Sequence, residues 1–226
     1  TLPNTAAPPP ALYTPIFEEI TRNGDSALVL TPSSKVSGTY RSATVAAQDF
    51  PDTEITIIDT RLIGPGFGSV VRLALDWVNQ GLSVAEIAEK IEDYANRSYI
   101  YLYVNTLEYL HKGGRIGTAK ALAGSVLQIK PILLFRDGQI NQFESQRTKK
   151  RALARIVDLV RQECPNSPDS HLAILEADAM GDALELRSAF SSLSEIDEIS
   201  ICNLPPAIIV HAGPGVLAAS FFKKSS

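Results

Sequence analysis

Short apolar runs alternate with longer helical stretches through the first part of the chain, and that alternation limits the available folds more than any other feature. Ser26–Leu30 (SALVL) is followed by the polar turn TPSSKVSG and a helical stretch from Thr39 to about Gln48. Ile55–Asp59 (ITIID) is followed by Gly64-Pro-Gly-Phe-Gly68 and a helix through Val78. Ser83-Val-Ala-Glu86 has the form of a capping box, which makes Ser83 the N-cap of a helix reaching about Asn96. Strands separated by helices at this spacing predict a parallel sheet covered by helices.

From Tyr99 the grain changes. Tyr99–Val104 (YIYLYV) is rich in β-formers, and Ile132–Phe135 and Gln142–Ser145 flank Asp137-Gly138, a hairpin turn signal. Between them, Asn105–Arg151 holds an amphipathic turn, a Lys112-Gly-Gly-Arg115 loop, a helix rich in small residues, and a hairpin ending in cations. Thr148–Gln162 predicts an amphipathic helix with Ala152, Ile156, Leu159 and Val160 on its apolar face. A strand at His171–Glu176, a helix from about Asp182 to Ser191, and strands at Glu198–Cys202 and Ala207–His211 (AIIVH) complete the reading. The predicted class is α/β, with two α/β domains divided near Arg97–Ser98. Residues 1–97 form a three-layer α/β/α parallel sheet, and residues 98–226 form a two-layer mixed sheet with helices mainly on one face.

Composition excludes more than it selects. The chain has 226 residues, enough to bury a core as one domain or two, with 45% apolar and 20% charged residues. A net charge of −4 gives no global case for nucleic acid or an anionic membrane. No apolar run is long enough to predict a transmembrane helix. Cys164 and Cys202 lie far apart without metal-ligand spacing, which suits a reducing cytoplasm, although two cysteines could pair. The start lacks a signal-peptide layout and an initiating Met, and its TLPNTAAPPP reads like the interior of a longer protein.

Several segments have both a chemical and a structural reading. The turn Thr31–Tyr40 places backbone N–H groups and the hydroxyls of Ser33, Ser34, Ser37 and Thr39 at a helix N-terminus, which suits an anion. Capping of the helix by Ser37 or Thr39 accounts for the same residues. Gly64–Gly68 departs from G-x-G-x-x-G and reads better as a tight turn for close packing. Lys112-Gly-Gly-Arg115 has exposed amides beside two cations but lacks the P-loop form, and its glycines serve equally to end a helical turn. His211, read as leaving a strand into Ala-Gly-Pro-Gly215, is placed to face a cleft, or is a structural histidine. Arg147, Lys149, Lys150 and Arg151 crowd a helix start against its dipole, as a solvated face or a partner-docking surface. No Cys/His cluster suggests a metal, and no nucleophile elbow or paired carboxylates announce catalysis.

Taken in order, these motifs resemble the DegV family of bacterial fatty-acid-binding proteins. They are Ser34-Lys-Val-Ser37-Gly-Thr-Tyr40, the Gly-rich bend after Ile58-Asp59, Asn105-Thr-Leu-Glu-Tyr-Leu110 through Gly113-Gly-Arg-Ile-Gly117, Ile129-Lys-Pro-Ile132, and His211–Gly215. The resemblance implies two α/β domains holding a long-chain fatty acid, such as a C16–C18 acid, with hydroxyls on its carboxylate and no other cofactor. It also implies, for some members, a partnership with a separate ATP-using kinase that converts the bound carboxylate to an acyl phosphate. Carried over by motif, Ser37 is a carboxylate ligand with Gly38 and Thr39 beside it. Thr5 is the second hydroxyl, and His211 lies near the head group. Around Thr5 the chain reads T-A-A-P-P where the family has T-S-Q-P-S, and Ala212 replaces a threonine. The family's opening D-S-T strand does not occur, so an incomplete first sheet with an exposed edge is expected.

Neutral hydroxyls and helix amides can hold a carboxylate without burying an opposing charge, whose desolvation is costly. A carrier of this kind needs no catalytic residues and no membrane span, only transient membrane contact. The competing reading is an enzyme acting on a phosphorylated small metabolite through the Gly-rich turns and Lys112/Arg115.

Overall fold

Ala-Leu-Val-Leu-Thr and Ile-Thr-Ile-Ile-Asp are runs of strand-forming residues with apolar side chains for both faces. In the computed structural model, which describes residues 3–122, 129–196 and 198–225, they form β1 (Ala27–Thr31) and β2 (Ile55–Asp59). The two pair in parallel, Ala27 opposite Ile55 and Thr31 opposite Asp59. On one side lie α1 (Thr14–Asn23), an element additional to those expected from the sequence, and α2 (Thr39–Ala47). Phe17 of α1 is buried edge-on against Phe50, with ring centroids 5.8 Å apart. On the other side lie α3 (Gly64–Asn79) and α4 (Val84–Arg97). Their Val70, Ala74, Ile87 and Ile91 form a cluster on which Leu28, Leu30 and Ile58 pack. The capping box at α4 is complete: Ser83 Oγ accepts from Glu86 N, and Glu86 Oε2 accepts from Ser83 N at 2.8 Å.

β3 (Ser98–Tyr103) follows α4 without a linker and is buried along its whole length. It belongs to a six-stranded sheet of order β5-β4-β3-β8-β6-β7, in which only β6 and β7 run parallel. β4 (Lys130–Arg136) and β5 (Gln139–Gln146) are the expected hairpin. Asp137 and Gly138 have φ of 53° and 79°, positive at both corners as the tightest hairpin turn demands. β6 (Ala173–Ala177), β7 (Ser200–Asn203) and β8 (Val216–Phe222) complete the sheet. β8 is central and wholly buried, which is why VLAASFF alternates no polar residues.

The long helices α6 (Lys149–Glu163) and α7 (Met180–Ala189) occupy one face, where Ile156, Leu159, Leu186 and Phe190 meet Tyr101, Tyr103, Leu217 and Phe221. The other face is covered by shorter pieces: α5 (Glu108–Lys112), a 3-10 helix at Gly117–Leu122, and α8 (Pro206–Ala212). The small-residue helix expected after Gly117 is that 3-10 helix as far as Leu122, and its expected continuation over 123–128 lies outside the described residues.

Two local readings are corrected. Ala207–His211 is not a strand but most of α8. Pro206 sits in the first turn, where its missing N–H costs nothing, and a five-residue apolar run has no periodicity to tell helix from strand. Gly64–Gly68 is not a turn before a helix but the first turn of α3 itself. Its packing role stands: a Cβ on Gly66 would meet the Phe222 ring at 3.4 Å.

Candidate functional site

The loop between β1 and α2 is fixed from several sides before any ligand is considered. The buried Ser33 hydroxyl donates to the Gly138 carbonyl at the hairpin tip (2.6 Å), and Lys35 Nζ donates to the Asp137 carbonyl (2.8 Å). Ser34 donates its amide and hydroxyl to Asp59 at the end of β2. Arg115 Nε donates to the Val36 carbonyl at 3.2 Å. These anchors leave Ser37 and Gly38 at the start of α2, whose N-cap is Gly38 and carries no side-chain cap. Ser37 Oγ is 2.8 Å from Thr39 Oγ1 and accepts from Thr39 N at 3.3 Å. Ser37 thus sits beside the positive end of the helix, as an anion ligand requires, while the N-cap is Gly38 rather than Ser37 or Thr39.

His211 lies in the last turn of α8 and shares a 2.7 Å hydrogen bond between Nε2 and Thr5 Oγ1. Nδ1 is buried without a partner and faces Gly113, where any Cβ would collide with it. Burial pushes the His211 pKa down, and the nearby Arg115 charge adds to the effect, so the ring is neutral at neutral pH. Ala7 lies against Gly38, whose added Cβ would stand 3.2 Å from the Ala7 methyl. Residues 5 and 7 are at most about 7 Å apart along any chain. The N-terminal segment therefore ties the Ser37–Gly38 corner to His211, and Thr5, Ser37, Gly38, Thr39 and His211 share one region.

The two glycine-bearing motifs interlock beneath this site. Gly213, at φ 81°, lies on the Tyr109 ring, and Gly215 lies on the Asn105 amide, which donates to the Pro214 carbonyl at 3.4 Å. Arg115 joins the halves, since Nη1 donates to the Gly113 carbonyl (2.6 Å) under His211 while Nε holds Val36 beside Ser37. Around them, Val36, Ile63, Leu107, Leu122, Ile208 and Ile209 are partly buried and rest on the apolar face of the six-stranded sheet. Asn105, Tyr109, Gly113 and the clamping role of Arg115 were not identified from sequence. Asn105, Tyr109 and Gly113 stand in the family motif without a role attached, Arg115 reads only as a phosphate cation, and glycine permits backbone approach without naming what approaches.

Other sequence candidates lie elsewhere. Lys112 is paired with Glu108. In the cationic cluster Lys149 is paired with Asp182 at 2.6 Å, while Arg147, Lys150 and Arg151 are exposed. Among the described residues, no hydrogen bond or ion pair joins that cluster to Thr5, Ser37 or His211. Among the described residues, too, no group of His, Cys, Asp or Glu has a metal-holding arrangement, and no helix is long and apolar enough to cross a membrane.

Known proteins share this sequence pattern and fold. The family model described as "Uncharacterised protein, DegV family" matches residues 1–224. A DegV domain-containing protein of Halalkalibacterium halodurans is 30% identical over 222 residues, covering 98% of this chain and 78% of its own. Two solved structures superpose with a TM-score of 0.89, each covering 99% of this chain and 80% of the other. One is a DegV family protein from Thermus thermophilus described for its fatty acid binding (28% identity), the other a fatty acid binding DegV family protein from Streptococcus agalactiae (27%).

Proposed function

The chain belongs to the DegV family, and we propose that it binds a long-chain fatty acid whose carboxylate is held by Thr5 and Ser37, with Gly38, Thr39 and His211 beside them. The observation that carries the reading is the Thr5–His211 hydrogen bond next to the uncapped start of α2. It offers a carboxylate two hydroxyls and a helix terminus with no fully buried cation to desolvate. The apolar residues Val36, Ile63, Leu107, Leu122, Ile208 and Ile209 supply a bed for the tail between the parts formed by residues 1–97 and 98–226. Each methylene removed from water contributes about 0.8 kcal/mol, so the tail sets affinity and the hydroxyls set orientation. The similarity to two fatty-acid-binding structures supports the same ligand class.

The protein acts as a carrier rather than an enzyme. It presents the carboxylate to a separate ATP-dependent fatty acid kinase for acyl-phosphate formation in the cytoplasm, with Arg147, Lys149, Lys150 and Arg151 as the docking surface. The free thiols of Cys164 and Cys202 suit that compartment. The phosphorylated-metabolite reading gains no support, because Lys112 is engaged by Glu108 and Arg115 by two backbone carbonyls.

Organic extraction of the purified protein followed by mass spectrometry is expected to release C14–C18 acids. Ser37→Ala is expected to weaken a fluorescent fatty acid by about tenfold or more, the loss of a hydrogen bond to a charged group. Unchanged affinity and ligand orientation in Ser37→Ala would refute the head-group assignment. A lipid-free protein that saturably binds a sugar phosphate would refute the carrier.

A further inference from the structure

The head-group site and the cationic start of α6 lie on opposite sides of the six-stranded sheet, yet one chain of contacts runs between them. Lys149 Nζ lies 5.9 Å from the centroid of the Tyr103 ring while paired with Asp182 at 2.6 Å. Tyr103 is the last residue of β3 and its side chain is almost wholly buried on the α6/α7 face. Its hydroxyl reaches past the strand end to donate to Asn105 Oδ1 at 3.0 Å. Accepting there fixes which way the Asn105 amide points, so that Nδ2 is turned to the Pro214 carbonyl and lies over Gly215. Gly215 N in turn donates to the Ala177 carbonyl at 2.6 Å, and Tyr109 fills the space beside Gly213. The bend that ends α8 is thereby gripped at three successive residues, two positions after His211.

We propose that Tyr103 and Asn105 are positioning residues of the head-group site, which hold the Gly213–Gly215 bend so that His211 meets Thr5, and transmit changes at the Lys149–Asp182 pair to His211. The proposal rests on the carrier reading for its purpose, but its geometry does not. A partner carboxylate that draws Lys149 from Asp182 changes the charge over the Tyr103 ring. It thereby changes the strength with which the phenol holds Asn105. Docking at α6 is then felt at the carboxylate-binding hydroxyls without any contact between the two surfaces.

The test uses the whole chain with labelled histidine, the His211 resonances being assigned by their loss in His211→Asn. Tyr103→Phe removes one hydroxyl and keeps the packing, and Asn105→Ser serves as a second, exposed variant. Each is expected to shift the His211 ring nitrogen signals and to weaken a fluorescent fatty acid by about 3- to 10-fold, the effect of one neutral hydrogen bond. Lys149→Gln is expected to shift the His211 signals in the otherwise native chain but not in the Tyr103→Phe background. A Lys149→Gln shift of equal size in both backgrounds overturns the transmission. His211 signals unmoved by both Tyr103→Phe and Asn105→Ser overturn the positioning role. Failure of the native chain to bind any fatty acid would sink the carrier reading while the nitrogen signals still decide this one.

Discussion

Thr5 and His211 are 206 positions apart and share one hydrogen bond, and the direction of that bond decides what Thr5 can offer a ligand. The ring is neutral, so a single proton sits on Nε2 or on Nδ1. An N–H at Nδ1 would be a buried donor without an acceptor, a rarer and costlier state than an unused lone pair. The proton therefore belongs on Nε2, which donates to Thr5 and frees the threonine hydroxyl to donate to a carboxylate. Nitrogen NMR of His211 is expected to show the Nε2–H tautomer. Thr5→Ser should then keep fatty-acid affinity where Thr5→Val lowers it about tenfold or more. Equal loss in both variants, or an Nδ1–H signal, contradicts the argument. Gly113→Ala tests the other side of the ring. With no room for a Cβ against Nδ1, it should displace the imidazole and cost about 1–3 kcal/mol in denaturant unfolding. At this scale the sequence showed which residue types stood where: a serine before Gly-Thr-Tyr, a histidine before a glycine-rich bend. It did not show pairing, because Thr5 meets His211 only through the tertiary fold, and Arg115 acts through backbone carbonyls that carry no residue identity.

Secondary elements position Ser37 more than its own neighbours do. The tip of the β4–β5 hairpin accepts from Ser33 and Lys35, and so a turn beyond residue 130 sets a loop that precedes residue 40. Ser33→Ala would strand the Gly138 carbonyl and release the loop. The expected loss is about 1–3 kcal/mol of stability together with weaker fatty-acid binding, although Ser33 is one turn away from the proposed carboxylate site. Ser83→Ala breaks the α4 capping box for about 1 kcal/mol and should leave affinity untouched, which separates anchoring from general destabilisation. If both variants reduced binding alike, the hairpin tip would have no special place in the site. The elements that periodicity identified well were those with strong local signals: β2, the Asp137-Gly138 hairpin, and the helices capped by Ser83 and Thr148. Periodicity does not identify α8, because an apolar run of five residues suits a buried helix turn as well as a strand. Read correctly, α8 puts His211 at a helix end, where the bend after it controls the ring.

The two sheets share a core, and the seam between them carries a titratable group that the proposed binding chemistry does not use. Phe222, the last residue of the central strand β8, packs among the side chains of α3 and α4. His171 lies in the same seam, its ring 5.8 Å from that of Phe222 and 6.3 Å from that of Tyr94. Burial pushes its pKa down. The facing charges are Asp169 on its own segment, which raises it, and Arg72 of α3 and Arg97 of α4, which lower it further. His211 is lowered in the same direction. For both residues the unfolded chain binds more protons than the folded one between the depressed folded pKa and the ordinary value of about 6.5, so stability falls as pH drops through that value. The carboxylates Glu86, Glu108 and Glu144 are shifted down by hydrogen bonds to Ser83, Lys112 and Arg155, so their stabilisation is lost only at lower pH. The interval from about pH 6.5 to about pH 5 therefore reports the histidines. Each can add a slope of at most about 1.4 kcal/mol per pH unit. His171→Asn suits the left-handed φ of 45° at this position and removes the titration. Denaturant unfolding across that interval should show a shallower slope in His171→Asn, and a shallower one still when His211→Asn is added. A slope identical to that of the native chain would mean that the seam tolerates a protonated His171, and that acid does not part the two sheets there.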